Sequence, residues 1–209
     1  MGFLSKLLRR KSDDDPLGKF NLQDESLEHQ GVTNGVRVWY TSDGDGIGLY
    51  YYDVSPDLPR EQPTVEAFCA EYRALMQGNV VETGIEQAGD LWVVRVIGKV
   101  PQTPSGMTYV GSYTVPFRDF SYVVKIQCEE RGVTGIREAV LMDQVLASKR
   151  EADDLDSIIG DLATDDSIYD ADFPDHPLSR CRKGLRMIAS SMSLAEEIHR
   201  FPKFQLPSQ

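Results

Sequence analysis

The feature that most constrains this chain is the stretch from Phe117 to Leu146, where a β-rich run gives way within a few residues to a helix. Phe117 to Cys128 is dense in β-branched and aromatic residues, the pattern of a long and mostly buried strand. Glu129-Glu130-Arg131-Gly132 is a charged turn, and Thr134 is placed to cap a helix from Gly135 to about Ala147. A strand buried in this way needs further strands beside it and helices to cover it, so the upstream sequence is read for both.

Val80 to Gln87, Leu91 to Val100 and Met107 to Val115 are β-rich runs separated by short Gly- or Pro-containing turns, which predicts an antiparallel meander ending in the Phe117 strand. Trp92, Val94, Val96 and Tyr109, Gly111, Tyr113 alternate as a half-buried sheet demands, with Arg95 and Lys99 expected on the opposite face. Further upstream, Val32 to Thr41 and Ile47 to Val54 flank Ser42-Asp43-Gly44-Asp45-Gly46, a composition suited to a hairpin. The Asp-Gly-Asp-Gly run invites a calcium reading. An EF-hand loop starting at Asp43 would put Ile47 and Val54 at ligand positions, so turn chemistry is preferred. Thr64 caps a helix whose stripe of Val65, Phe68, Cys69, Tyr72, Leu75 and Met76 should pack on the sheet before Gly78 ends it.

After the Gly135 helix the composition changes. Ten acidic residues and no Lys or Arg lie between Glu151 and Asp175, the signature of a solvated segment, although Leu155, Ile158, Ile159 and Leu162 have helical spacing. Pro177 then opens a helix with Leu178, Cys181, Leu185, Ile188 and Met192 on one side, and Ser193-Leu194-Ala195-Glu196 reads as the capping box of a last short helix. Arg180, Arg182, Lys183 and Arg186 are expected on the outer surface of the Pro177 helix, paired with the acidic tract or offered to an acidic protein partner.

With 209 residues, 41% hydrophobic, the chain can bury one core with appendages, and its formal charge of -11 disfavours nucleic acid as a partner. Three cysteines far apart fit neither a disulfide framework nor a metal knuckle, and point to a reducing, cytoplasmic setting. No run is long and apolar enough to cross a membrane. Phe3, Leu4, Leu7 and Leu8 share a helical face ringed by Lys6, Arg9, Arg10 and Lys11, the pattern of weak peripheral contact with an anionic inner membrane face, against which stands a frayed soluble leader.

His29, His176 and His199 lack partners at ligand spacing, so neither a metal nor a cofactor is expected, and no nucleophile elbow, P-loop or zinc-protease motif occurs. Asp143 falls within the apolar sector of Ile136, Ala139, Val140, Met142 and Leu146, where a carboxylate must find a partner or do work.

The order from Val36 to Leu146 is a hairpin, a Ser55-Pro56-Asp57 loop, a helix beginning Thr64-Val65-Glu66-Ala67-Phe68, a meander and a covering helix. This order resembles the PsbP-like superfamily, which includes the extrinsic photosystem II subunit and Ran-binding nuclear import factors. The resemblance implies an α/β/α sandwich used mostly to bind other proteins, and it places no functional residue on a numbered position. The expected fold is therefore α+β, an antiparallel sheet covered by helices, with a C-terminal helical extension. Residues 1–31 are read as a basic leader and polar linker, 32–148 as the sheet domain, 149–176 as an acidic linker and 177–209 as helices packed on the domain. The expected function is a non-enzymatic interaction or accessory protein. Its rivals are a small hydrolase or ligand-binding protein with a pocket around Asp143 and Tyr50 to Tyr52, and a peripheral membrane adaptor acting through residues 1–11.

Overall fold

A computed structural model describes residues 15–76, 79–148 and 164–207. In chain order the elements are β1 (Phe20–Leu22), β2 (Glu28–Thr33), β3 (Val36–Tyr40), β4 (Gly46–Tyr52), α1 (Val65–Leu75), β5 (Val80–Ala88), β6 (Leu91–Pro101), β7 (Met107–Pro116), β8 (Ser121–Glu129), α2 (Ile136–Ser148), α3 (Pro177–Ser191) and β9 (Met192–Leu194). The fold is α+β. A seven-stranded antiparallel sheet has the order β2-β3-β4-β8-β7-β6-β5, and β1 pairs with β9 in a separate two-stranded ribbon.

The predicted hairpin is β3–β4, and the meander is β5 to β8. The central strand begins at Ser121, not Phe117. Residues 117–120 form the turn instead, closed by the Phe117 N–H donating to the Phe120 carbonyl and by the two stacked rings, whose centroids lie 4.5 Å apart. The aromatic residues that suggested a longer strand serve the turn.

One sheet face is sealed by α3, which lies across β7 and β8. Pro177 at its first turn and the His176 side chain, which accepts from the Leu178 N–H, start the helix. Its apolar residues Leu178, Cys181, Leu185 and Ile188 are all buried against Tyr109, Tyr113, Val124 and Ile126, as their spacing predicts. Each aliphatic side chain buried here contributes about 1.5–3 kcal/mol. Close approach depends on two glycines. A Cβ on Gly111 would stand 2.7 Å from the Cys181 sulfur, and one on Gly184 would stand 2.2 Å from Ile126 Cδ1.

Leu17 and Phe20, from the segment that reads as polar linker, belong to the same core, as do Met192, Leu194 and Ile198. Ser193 does not open a capping box. It sits in β9, opposite Asn21 of β1, and the following turn of 3-10 helix begins after Ala195. Here strand pairing with β1 outcompetes the local helix signal.

The opposite face carries α1, which packs against β5 and places Phe68 among Leu58, Ile85, Val94 and Phe204. Leu75 and Met76 at its end remain exposed. No described strand or helix packs over the β3–β4–β8 half of this face.

α2 is rotated relative to its predicted orientation. Ile136 and Val140 are exposed, whereas Arg137 and Leu141 are buried. Asp143 therefore faces solvent, which corrects its placement in a buried apolar sector. The cause is Arg137. Its guanidinium donates to the carbonyls of Thr164 (2.8 Å) and Asp166 (2.7 Å), to Asp170 Oδ1 (3.2 Å) and to Ser179 Oγ (3.2 Å), and these bonds turn that side of the helix inward.

Candidate functional site

The half of the sheet face that α1 leaves uncovered forms a groove of about 430 Å³. Its floor is set by strand alternation. Val36, Val38 and Tyr40 of β3, Gly46, Gly48 and Tyr50 of β4, and Lys125 and Gln127 of β8 point to this side, while Trp39, Ile47, Leu49, Val124 and Ile126 point into the core. The glycines shape it. A Cβ on Gly48 would meet the Tyr50 ring at 3.1 Å and Val36 Cγ1 at 3.3 Å, so Gly48 lets the ring settle across the strand. Tyr40 is the register partner of Gly46, and its ring lies 3.6 Å from the position of an added Cβ there.

Tyr50 and Tyr52 stack with centroids 6.3 Å apart and planes within 9°. Lys125 Nζ stands 5.2 Å from the Tyr50 ring centroid, and no carboxylate pairs with it among the described residues. Arg131 closes one end of the groove. It is fastened by the Asp43 and Gly44 carbonyls and by Asp45 Oδ1 at 3.2 Å. The result is a surface of tyrosine rings, small residues, the cations Lys125 and Arg131 and the Glu129 carboxylate, a mixture suited to protein contact.

The four predicted cations are dispersed. Arg180 and Arg182 are not on the outer surface, because each is drawn inward by a carboxylate that local sequence could not reveal. Arg180 grips the buried Asp45 with Nε–Oδ2 at 2.9 Å and Nη2–Oδ1 at 3.2 Å, and it donates to the Glu129 carbonyl at 2.6 Å. Asp45 is 2% exposed and meets Arg131 as well, so the Asp-Gly-Asp-Gly loop is held by arginines. Arg182 donates to Glu82 Oε1 at 2.6 Å and Asp170 Oδ1 at 2.6 Å. Lys183 is exposed, 3.7 Å from Asp43 Oδ2, and Arg186 is exposed at the mouth of a second cleft.

Asp143 does not meet the tyrosines. Tyr50 lines the groove and Tyr52 stacks on it, but Tyr51 turns to the other side and packs on Tyr122 with centroids 5.3 Å apart. Asp143 is not among the residues that line the groove. Phe3, Leu4, Leu7 and Leu8 lie outside the described residues.

Arg95 and Lys99 share a face with Tyr113 and Tyr109, their register partners, rather than decorating a solvent side. Arg95 binds both Glu82 and Glu86, while Lys99 pairs with Asp165 at 2.5 Å. Asp165 also accepts from the Tyr109 hydroxyl at 3.3 Å, and burial first, then Asp165, pushes that phenol well above its ordinary range. The end of the acidic tract is thus an acceptor for cations of the fold, and Asp170 binds Arg137 and Arg182 together.

Glu130, Glu138 and His176 bring ligand atoms within 4.8 Å of one another. Glu130 is occupied by the backbone, accepting from Gly135 N–H at 2.6 Å and Met107 N–H at 3.0 Å. His176 Nδ1 accepts from the Leu178 N–H at 3.3 Å, which puts the imidazole proton on Nε2, 3.7 Å from Glu138 Oε1. That tautomer offers no lone pair to a cation. Burial first, then Arg137, lowers the His176 pKa to about 4. Cys128 and Cys181 are buried side by side. Its hydrogen bond to Cys181, followed by burial, holds the Cys128 thiol far above its ordinary range, which makes it a poor nucleophile.

No family model matches the chain, and no curated protein matches it. A solved structure from Bacteroides thetaiotaomicron VPI-5482 aligns over 74% of this chain and 67% of its own, with 7% identity and a TM-score of 0.37. That likeness says nothing about function.

Proposed function

We propose that this chain is a non-enzymatic, intracellular interaction or accessory protein, built on a PsbP-like α/β/α arrangement, and that it engages another protein through the half of the sheet face that no described strand or helix covers. The observation that carries this reading is the groove over β3, β4 and β8, where Tyr40, Tyr50, Lys125 and Arg131 surround a glycine floor. Tyrosine and arginine are the residues that interfaces favour, and rings already stacked lose little freedom on binding. Lys125, with no carboxylate of its own among the described residues, fits an acidic group on the partner. Helices on both sides of an antiparallel sheet agree with the PsbP-like arrangement, and three free cysteines agree with a reducing compartment.

The test compares capture by the full chain with capture by a Tyr50→Ser, Lys125→Glu double variant and by Asp143→Asn. A partner retained by Asp143→Asn and lost by the double variant is expected. A partner lost by Asp143→Asn and kept by the double variant would move the site to α2 and overturn the reading.

A further inference from the structure

On the other side of the sheet, between α3 and the β5–β6 end, lies a polar cleft of about 420 Å³. We propose that this cleft binds a carboxylate group through Arg186. Glu82 and Glu86 of β5 and Arg95 of β6 form its floor, while Arg182 and Arg186 of α3 form its wall. Both floor carboxylates are already matched. Glu82 binds Arg95 and Arg182, and Glu86 binds Arg95 and accepts from the Tyr113 hydroxyl at 3.3 Å. Arg182 and the neighbouring Arg137 also share Asp170. Four guanidiniums, those of Arg95, Arg137, Arg182 and Arg186, therefore meet three carboxylates, those of Glu82, Glu86 and Asp170. Among the described residues one positive charge is left over.

That charge is Arg186. It follows Arg182 by one helical turn, is exposed, and has no carboxylate partner among the described residues. It lines the cleft, and its charge reaches the Tyr113 phenol, where it opposes the upward push of burial and Glu86. Tyr113 stays protonated at neutral pH with its proton directed to Glu86, and the Ser167 hydroxyl lines the cleft as a donor.

The ligand chemistry follows from charge and shape. A single excess guanidinium matches a monoanion, and its planar fork suits a carboxylate. A dianionic phosphate would bring a second negative charge toward Glu82 and Glu86, on a protein whose formal net charge is already -11. The Arg182 guanidinium is held by Glu82, Asp170 and the Asp165 carbonyl, so this wall is set before a ligand arrives. The carboxylate can belong to a free small acid or to a side chain of a protein partner.

The test is a titration of the full chain, followed by arginine Nε–H and backbone NMR signals, with acetate, inorganic phosphate and a short Glu-containing peptide blocked at both ends. Saturable shifts at Arg186 are expected, with acetate or peptide binding more tightly than phosphate. Arg186→Gln should weaken binding roughly tenfold or more, the loss of one charge-assisted contact, while Lys183→Gln leaves it unchanged. Acetate and peptide of similar affinity identify a small acid; a much tighter peptide identifies a partner side chain. Both residues replaced are exposed, and backbone spectra of the variants establish that they fold. No saturable shift with acetate or peptide, equal affinity in Arg186→Gln, or tighter binding of phosphate would each overturn the proposal. The cleft and the groove lie on opposite faces of the sheet, so either can fail alone.

Discussion

The α3 side of the sheet and the α1 side differ in how far they are closed. On the first, every strand in the middle of the sheet sends its large side chains under α3, and even a methyl group at Gly111 or Gly184 has no room. On the second, α1 buries one phenylalanine over β5 and β6 and stops, leaving valine, glycine, tyrosine and lysine in half-exposed positions over β3, β4 and β8. A closed face supplies stability. A face that no described element covers, with stacked tyrosines and a cation that has no carboxylate partner among the described residues, has surface to spare for a partner.

The largest loss is expected at Arg137. Arg137→Ala takes one of two guanidinium partners from the half-buried Asp170, which keeps Arg182, and removes the donor to the Thr164 and Asp166 carbonyls, and denaturant unfolding should show a loss of about 3–5 kcal/mol. A loss under about 1 kcal/mol would mean that α2 is held by something else.

Next come paired truncations on the two faces. Leu185→Ala under α3 should cost about 2–5 kcal/mol, and Phe68→Ala under α1 should fall in the same range. Val110→Ala on the groove floor should cost about 1 kcal/mol or less, because its side chain is already half exposed. Equal losses at Val110 and Leu185 would show that the groove is closed in solution.

Acid acts on the α3 side through His176. His176 has its folded pKa lowered to about 4 from an ordinary 6.5, so between those values the unfolded chain binds more protons than the folded one. Stability is therefore lost as pH falls through this window, by up to about 3 kcal/mol, and the loss levels off below it. His176→Asn keeps a side chain able to cap α3 and should flatten this part of the profile. An unchanged slope in the variant would assign it to other groups.

Much of the fold was legible because it is written in local periodicity. The α1 cap at Thr64, the turn residues between β3 and β4, and the stripe on α3 each carry their signal within a few residues. The polar network was not. Arg95 and Lys99 looked like surface residues and Arg137 carried no signal, since their acids Glu82, Asp165 and Asp170 lie far away in sequence or on another strand. The same distance hid the pairing of Arg180 with Asp45 and left Asp143 assigned to the wrong side of α2. Gly46 and Gly48 were visible only as turn and strand glycines, because their role as a groove floor depends on the neighbouring Tyr40 and Tyr50 rings.

The smallest expected effect concerns the groove itself. Tyr50→Ser and Lys125→Gln should each change stability by no more than roughly 0.5–1 kcal/mol, as substitutions on an open surface do. A loss several times larger would make the tyrosine–lysine arrangement part of the core.

The most direct test of the open face is photo-crosslinking in the native cell from a benzophenone amino acid, placed in turn at Gln127 in the groove and at Ser190 on the exposed side of α3. A discrete adduct from position 127, abolished by Tyr50→Ser with Lys125→Glu and absent from position 190, is the predicted result. An adduct from position 190 with none from 127, or one from 127 indifferent to the groove substitutions, would contradict the account.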